Sequence, residues 1–598
     1  MRTLLSIFFS WMALSLMPLG FVRADPVADF HHIIAQHWAW TLEQSPQTKS
    51  FLGDSSAADR WDDDSLAAHY ERDARRGEFL AALARIEPAG LDATDQLNHA
   101  MLSRQLNSRR KRHELGLHLM TISMRGGPQQ LYSIVEYLPF ETEQDYRNWI
   151  RRLQGVAAVL SQNRELLEEG ITRQRVQPRV VMERIPGQLD KVITADPEDS
   201  PFYKPFKSMP RGMKREIAAE LQRAARSAIE NQVTPAYVEF RDFFVSSYLP
   251  ASRQKPGVGS LPGGEDIYRF LARDFTTTSL TPEQIHKTGK QEVARILAAM
   301  EAVKKSVDFD GDLQQFNNFL RTSPQFYYDT PEALLEGYRA TAKRIDPELV
   351  KLFGVLPRTP YGIKVIPAET APDTTTAYYM QPAANGSRAG YYYVNLYRPE
   401  VRPKYEMEVL TVHEAVPGHH LQIALAQELP DIPMFRKMGN VTAFVEGWAL
   451  YSEQLGYQLG LYQDPYSRYG QLTYDMWRAV RLVVDTGIHY FGWSRAQAID
   501  YFMANAGKTQ ADIINEIDRY IGWPGQALAY KVGQMKILEL RDRAMKAQGE
   551  AFDIRAFHDE LLGVGAIPLD ALERRMDAWI AASLTSKEQA VTQGNEKE

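Results

Sequence analysis

Apolar residues recur at three- and four-residue intervals among charged ones over Trp61 to Glu87, Thr94 to Glu114 and Thr142 to Gly170. That spacing puts them on one face of an amphipathic helix, so the first third of the chain is predicted to be helix after helix. Met124-Arg125-Gly126-Gly127-Pro128 breaks the pattern, and Asp196 to Phe206 and Pro250 to Gly264 read as surface loops because they lack periodicity and carry turn formers. Helices restart at explicit signals. Thr281-Pro282-Glu283-Gln284 supplies a cap, a first-turn proline and a capping-box glutamine before Ile285 to Lys305, and Asp329-Thr330-Pro331-Glu332 does much the same before Ala333 to Ile345.

The period shortens between about 360 and 398. Ile363 to Pro367, Ala377 to Met380 and Gly390 to Tyr397 are short, aromatic or β-branched and bounded by Pro and Gly, which predicts a small sheet. An exposed strand can hold an extended peptide by main-chain hydrogen bonds. Tyr391 to Tyr397 is the expected edge, with Tyr393 and Asn395 as candidate substrate-binding residues; packing within the sheet is the alternative role for each tyrosine. Long helices then return. Asp475 to Tyr490 carries Arg478, Arg481, Asp485 and His489 in a polar line. Arg478 and His489 are candidate substrate-binding residues, since a carboxylate is well matched by a basic fork, and ion pairing among these residues is the alternative.

The chemistry concentrates in Thr411-Val412-His413-Glu414-Ala415-Val416-Pro417-Gly418-His419-His420. The chain has 13 histidines in 598 residues, so three within eight positions, one followed by Glu, read as a metal site. Zinc takes neutral imidazoles and carboxylates and keeps one position open when it is catalytic. In His-Glu-x-x-His the two imidazoles share a helix face, but here the spacing is longer. On an unbroken helix His419 would lie about 120° off the face of His413, and His420 about 10 Å along the axis. The helix must therefore break, and Pro417-Gly418 supplies the break. A bulge at Val416-Pro417 would return His419 towards the metal. His419 is the preferred second ligand, with His420 as the alternative. The third candidate is Glu446, an acid in the apolar run from Thr442 to Leu450, because a buried carboxylate is costly unless paired or metal-bound. Glu453, seven residues on, could orient an imidazole.

His413 to His420, Val445-Glu446-Gly447-Trp448-Ala449-Leu450-Tyr451 and Pro524 to Gly533 together resemble the bacterial domain-of-unknown-function family 885, grouped with the gluzincin metallopeptidases. The likeness extends from about 240 to 580. It implies a C-terminal-helix tyrosine, Tyr530, that stabilises the oxyanion, and an enclosed cleft that takes short peptides.

Composition narrows the setting. Arg2, an apolar run from Leu4 to Val22 and Val22-Arg23-Ala24 form a secretory signal peptide over residues 1–24. Periplasmic or secreted localisation follows as the expectation, with no membrane contact after cleavage. There is no cysteine, which excludes disulfides, thiolate metal sites, cysteine nucleophiles and a lipid on cysteine. A net charge of −6 argues against a nucleic-acid partner, and Arg109 to His113 reads as a solvated helix face. No Gly-rich phosphate loop or Gly-x-Ser-x-Gly motif is present. Residues 586–598 are polar and expected to be a disordered tail.

The expected fold is mainly α: a large two-lobed helical metallopeptidase-like fold around a cleft, with a small β-sheet beside the zinc-binding helix, and residues 25–585 as one catalytic domain. The expected reaction is peptide-bond hydrolysis, with one Zn2+ per chain on His413, His419 and Glu446, Glu414 as general base and Tyr530 at the oxyanion. The rival readings are a zinc amidohydrolase acting on cell-wall peptides or acylated amino acids, and a periplasmic binding protein with a structural or degenerate metal site.

Overall fold

The computed structural model describes residues 25–595, apart from 369, 370, 372, 373, 384, 385, 387 and 440. The expected signal peptide lies outside these residues. Among the described residues the fold is mainly α-helical with one three-stranded sheet.

The helices form where the periodicity placed them. Pro26–Gln44, Leu66–Leu83, Ala93–Glu114 and Glu143–Thr172 build the N-terminal part, the last opened by a capping box between Thr142 and Asp145. Helix α1, Pro282–Ser306, carries the capping box expected of Thr281 and Gln284. The helices that position the site follow: α2, Met407–Glu414; α3, His419–Glu428; α4, Thr442–Leu455; α5, Pro465–His489; α6, Gln510–Gly522; and α7, Ala529–Gln548. Before α7 the chain turns at Gly525, which has a positive φ of 83°, and makes a short 3-10 turn over Gln526–Leu528. The helix therefore begins five residues after Pro524. The last helix spans Leu569–Asn595 and takes in most of the stretch expected as a tail.

Helix α5 joins the two main cores. Met476, Val480, Val484 and Ile488 pack with residues of the N-terminal helices, while Tyr474 and Leu482 pack with residues of α2, α4 and α7. This explains why α5 is buried almost throughout from Tyr469 to His489. Gly289 of α1 permits close approach to α5, since a Cβ there would lie 2.7 Å from the Leu482 Cβ.

The sheet has the order β1 (Tyr361–Val365), β3 (Gly390–Val394), β2 (Ala377–Met380), with β1 parallel and β2 antiparallel to β3. This corrects the expected edge. The strand within Tyr391 to Tyr397 is the central one, because the parallel pairing with β1 inserts it between the other two. Gly390, Tyr392 and Val394 are buried, while Tyr391 and Tyr393 point to the opposite face. Among the described residues no helix is long and apolar enough to cross a membrane.

Burial also sets a pH dependence. It holds the imidazoles of His489 and His558 down to about 3 and those of His37 and His420 to about 4. Between these values and the ordinary 6.5 the unfolded chain binds more protons, so the stability these groups contribute above pH 6.5 is lost as pH falls. Asp485 and Glu453, raised by burial to about 7 and about 8, act oppositely but are fewer. The melting temperature is expected to be lower at pH 5 than at pH 7; an equal or higher value at pH 5 would contradict this assignment.

Candidate metal centre

Helix α2 ends at Glu414, and α3 begins at His419. The long spacing between His413 and His419 is thus resolved by a turn between two helices, where a bulge within one helix was expected. Three contacts build the turn. The Gly418 amide donates to the Val412 carbonyl at 2.9 Å, the His420 amide to the Ala415 carbonyl at 3.0 Å, and the Trp448 indole to the Pro417 carbonyl at 2.8 Å. Gly418 is required by space: a Cβ would sit 2.0 Å from the His413 carbonyl oxygen. The Val416–Pro417 peptide is cis.

The turn separates the adjacent histidines. His419 faces α4, with Nε2 3.5 Å from the Glu446 carboxylate, and His413 Nε2 is 3.9 Å from the same oxygen. His420 points the other way. Its Nε2 donates to the Thr359 carbonyl at 3.1 Å, and its Nδ1 accepts from the Tyr379 hydroxyl at 2.9 Å. His413, His419 and Glu446 each offer an atom within 4.8 Å of the other two.

Glu453 stands where its spacing from Glu446 predicts, one oxygen 2.8 Å from His413 Nδ1. A hydrogen bond donated from Nδ1 leaves the lone pair on Nε2, the atom turned to Glu446. Arg478 Nη2 approaches Glu453 at 3.5 Å. Burial, opposed by Arg478, pushes the Glu453 carboxyl up to about 8, and burial followed by Arg478 keeps His413 well below its ordinary value. His419 behaves differently. The hydrogen bond and charge of Glu446 outweigh burial and raise it.

Glu414, the last residue of α2, lies beside the cluster with its carboxyl raised by burial and hydrogen-bonded by the Tyr379 amide of β2. Tyr530 approaches Glu446 from α7 and helps to hold its carboxyl down. Two glycines make that contact possible. A Cβ on Gly533 would lie 2.0 Å from the Ala443 carbonyl oxygen, and one on Gly447 2.5 Å from the Gly533 Cα. Helices α4 and α7 therefore touch backbone to backbone next to Glu446 and one turn from Tyr530.

Not all the expected substrate residues gather here. Arg478 reaches the site through Glu453. His489 is fully engaged, its Nδ1 accepting from the Val258 amide at 3.0 Å and its Nε2 donating to the Tyr520 carbonyl at 2.9 Å. The Asn395 amide donates to the Ala371, Thr374 and Thr375 carbonyls and its oxygen accepts from the Tyr397 amide, so it ties down the loop before β2. Tyr393 stacks on Tyr378 of β2 at 4.9 Å. Conversely, Arg481, one turn from Arg478, lies 4.4 Å over the Tyr530 ring. The polar line on α5 signalled that arginine, but its partners come from α6 and α7.

The donor set suits a divalent metal. Two imidazoles and one carboxylate are the protein ligands of many catalytic zinc sites, and two ligands sharing a tetrahedral ion at about 2.1 Å stand about 3.4 Å apart, close to the 3.5 and 3.9 Å between Glu446 and the two imidazoles. With His420 turned away, no fourth protein ligand completes the group among the described residues.

The fold and this cluster define a helical protein with a partly buried two-histidine, one-glutamate cluster. The chain belongs to the bacterial proteins of unknown function gathered as DUF885, which it matches over residues 46–576. Among solved structures it is similar to a candidate lipoprotein from Colwellia psychrerythraea, with 28% identity and a TM-score of 0.87 over 93% of this chain and 99% of that one. A candidate lipoprotein of unknown function from Shewanella oneidensis shares the fold, at 16% identity and a TM-score of 0.71 over 92% of this chain and 99% of that one. Comparison with curated proteins finds no match.

Proposed function

We propose that the protein is an exported zinc-dependent hydrolase of the gluzincin type that cleaves peptide bonds of short peptides. The observation that carries this reading is the convergence of His413, His419 and Glu446 with Glu414 beside them and no fourth protein ligand among the described residues. A purely structural site would be closed and would need no neighbouring base. Export rests on the pattern of residues 1–24. The two solved relatives are described as candidate lipoproteins, but this sequence has no cysteine to carry a thioether-linked lipid.

His413, His419 and Glu446 would hold the metal, which when bound supplies a Lewis acid that polarises a carbonyl and lowers the pKa of water. Glu414 takes the proton of the attacking water on its carboxylate and delivers it to the leaving amine. Its raised pKa suits both roles, since an ordinary carboxylate is too weak a base near neutrality. The Tyr530 hydroxyl, held beside Glu446 and Gln526, donates to the carbonyl oxygen as negative charge develops. Arg478 and Glu453 keep His413 in its orientation. The outer edge of β2 runs past Glu414 and offers its backbone to an extended substrate.

The test is hydrolysis of a short-peptide library by the mature protein with and without a chelator. Activity should require the metal, and Tyr530→Phe should lower kcat by roughly 10- to 1,000-fold while leaving metal content unchanged. A Tyr530→Phe variant with wild-type kcat would remove Tyr530 from the reaction.

A further inference from the structure

Three arginines distant in sequence meet at Glu516, and one of them, Arg481, lies over the Tyr530 ring. Arg481 on α5 and Arg519 on α6 reach Glu516 at 3.1 and 3.0 Å, and Arg125, from the turn that interrupts the N-terminal helices, approaches it at 3.7 Å. Among the described residues Glu516 is the only carboxylate paired with any of the three. Three positive charges against one negative leave a surplus of two. Arg481 and Arg519 are buried, where unpaired charge is costly, so the surplus calls for an anion.

Donors are available for it. Arg481 Nε donates to the Tyr520 hydroxyl at 2.8 Å and Nη2 faces Glu516, whereas its Nη1 is buried with no partner. Arg125 is half exposed, and among the described residues its guanidinium has no hydrogen bond, only the 3.7 Å approach to Glu516. The buried part of the fork is held in place beside the metal centre. Arg519 Nη1 donates to Gln526 at 2.8 Å, and the Arg481 guanidinium lies 4.4 Å over the ring of Tyr530, which stands next to Glu446. An anion here would sit next to the site yet apart from the proposed ligands. A planar guanidinium with free donors matches a carboxylate.

We propose that Arg125 and Arg481, backed by Arg519, form a carboxylate subsite that holds the C-terminal carboxylate of a short peptide. The bond cleaved is then one near the substrate's C-terminus, and the enzyme is an exopeptidase of that end. This assignment of substrate class rests on the peptidase reading above. An acidic side chain offers the same chemistry, so the two sources must be separated.

The experiment measures binding by calorimetry to the zinc-loaded full-length Glu414→Gln protein. The probes are N-acetyl-trialanine as the free acid, its C-terminal amide, and the amide of N-acetyl-Ala-Glu-Ala. The free acid should bind roughly tenfold to a hundredfold more tightly than its amide, the range for a hydrogen-bonded ionised group. Arg125→Ala, on a surface turn, should remove most of that difference. Equal binding of acid and amide by the unaltered subsite would overturn the proposal. The glutamate-containing amide binding as tightly as the free acid would overturn the assignment to a chain terminus. Cleavage of the free acid by the wild-type protein is scored separately. Discrimination without cleavage leaves the subsite standing and removes the peptidase reading; cleavage without discrimination does the reverse.

Discussion

With glutamine in place of Glu414, peptide hydrolysis is expected to fall by roughly 10²- to 10⁴-fold, the contribution of a positioned general base, while zinc content and melting temperature stay at wild-type values. The substitution preserves shape and leaves an oxygen to accept the Tyr379 amide, so the end of α2 and the neighbouring strand need not move. What it removes is the capacity to take up and return a proton. Steady-state kinetics on a cleaved peptide, with metal analysis of the same sample, checks both statements. A variant with full activity would assign the base elsewhere, and one that lost its metal would make Glu414 a ligand.

The second large effect is expected from the smallest side chain. Gly533→Ala inserts a methyl 2.0 Å from the Ala443 carbonyl and 2.7 Å from the Gly447 Cα, both backbone positions that no rotamer change can clear. Helices α4 and α7 must move apart. Overpacking of this kind costs about 1–3 kcal/mol, and here it also separates Tyr530 from Glu446 and shifts a metal ligand. We expect a lower melting temperature together with reduced metal content. Gly187→Ala is the matched control: its Cβ meets nothing within 4 Å, so stability should be unchanged or slightly higher. Equal melting temperatures for the two variants would show that the glycine contact does not hold the helices in place.

The residues that could be read from sequence are those whose signal is local. The histidines of 413–420 stood out by rarity and spacing, Glu446 because an acid in an apolar run requires a partner, and Glu453 because seven residues return to the same face. The helices with capping boxes at Thr142 and Thr281 were legible for the same reason. Contacts set by distant segments were not. Whether His419 or His420 faces Glu446 depends on a turn pinned by Trp448, thirty-one residues from Pro417. The strand order depends on a parallel crossover, which alternation of side chains does not encode, so the edge that the sequence predicts at Tyr391 to Tyr397 is the central strand. His489 had the polarity of a site residue, yet it satisfies the Val258 amide and the Tyr520 carbonyl. Arg481 was visible in the polar line of α5, but its place beside Tyr530 follows only from the packing of α5 against α6 and α7.

The central claim is that His413, His419 and Glu446 hold a catalytic metal, and elemental analysis of the purified mature protein with His413→Ala, His419→Ala and His420→Ala variants tests it most directly. The account predicts about one zinc per chain, lost with the first two substitutions and kept with the third, since His420 serves Thr359 and Tyr379. A wild-type protein that takes up no metal when zinc is supplied, or a His420→Ala variant that alone loses it, would contradict the site as described.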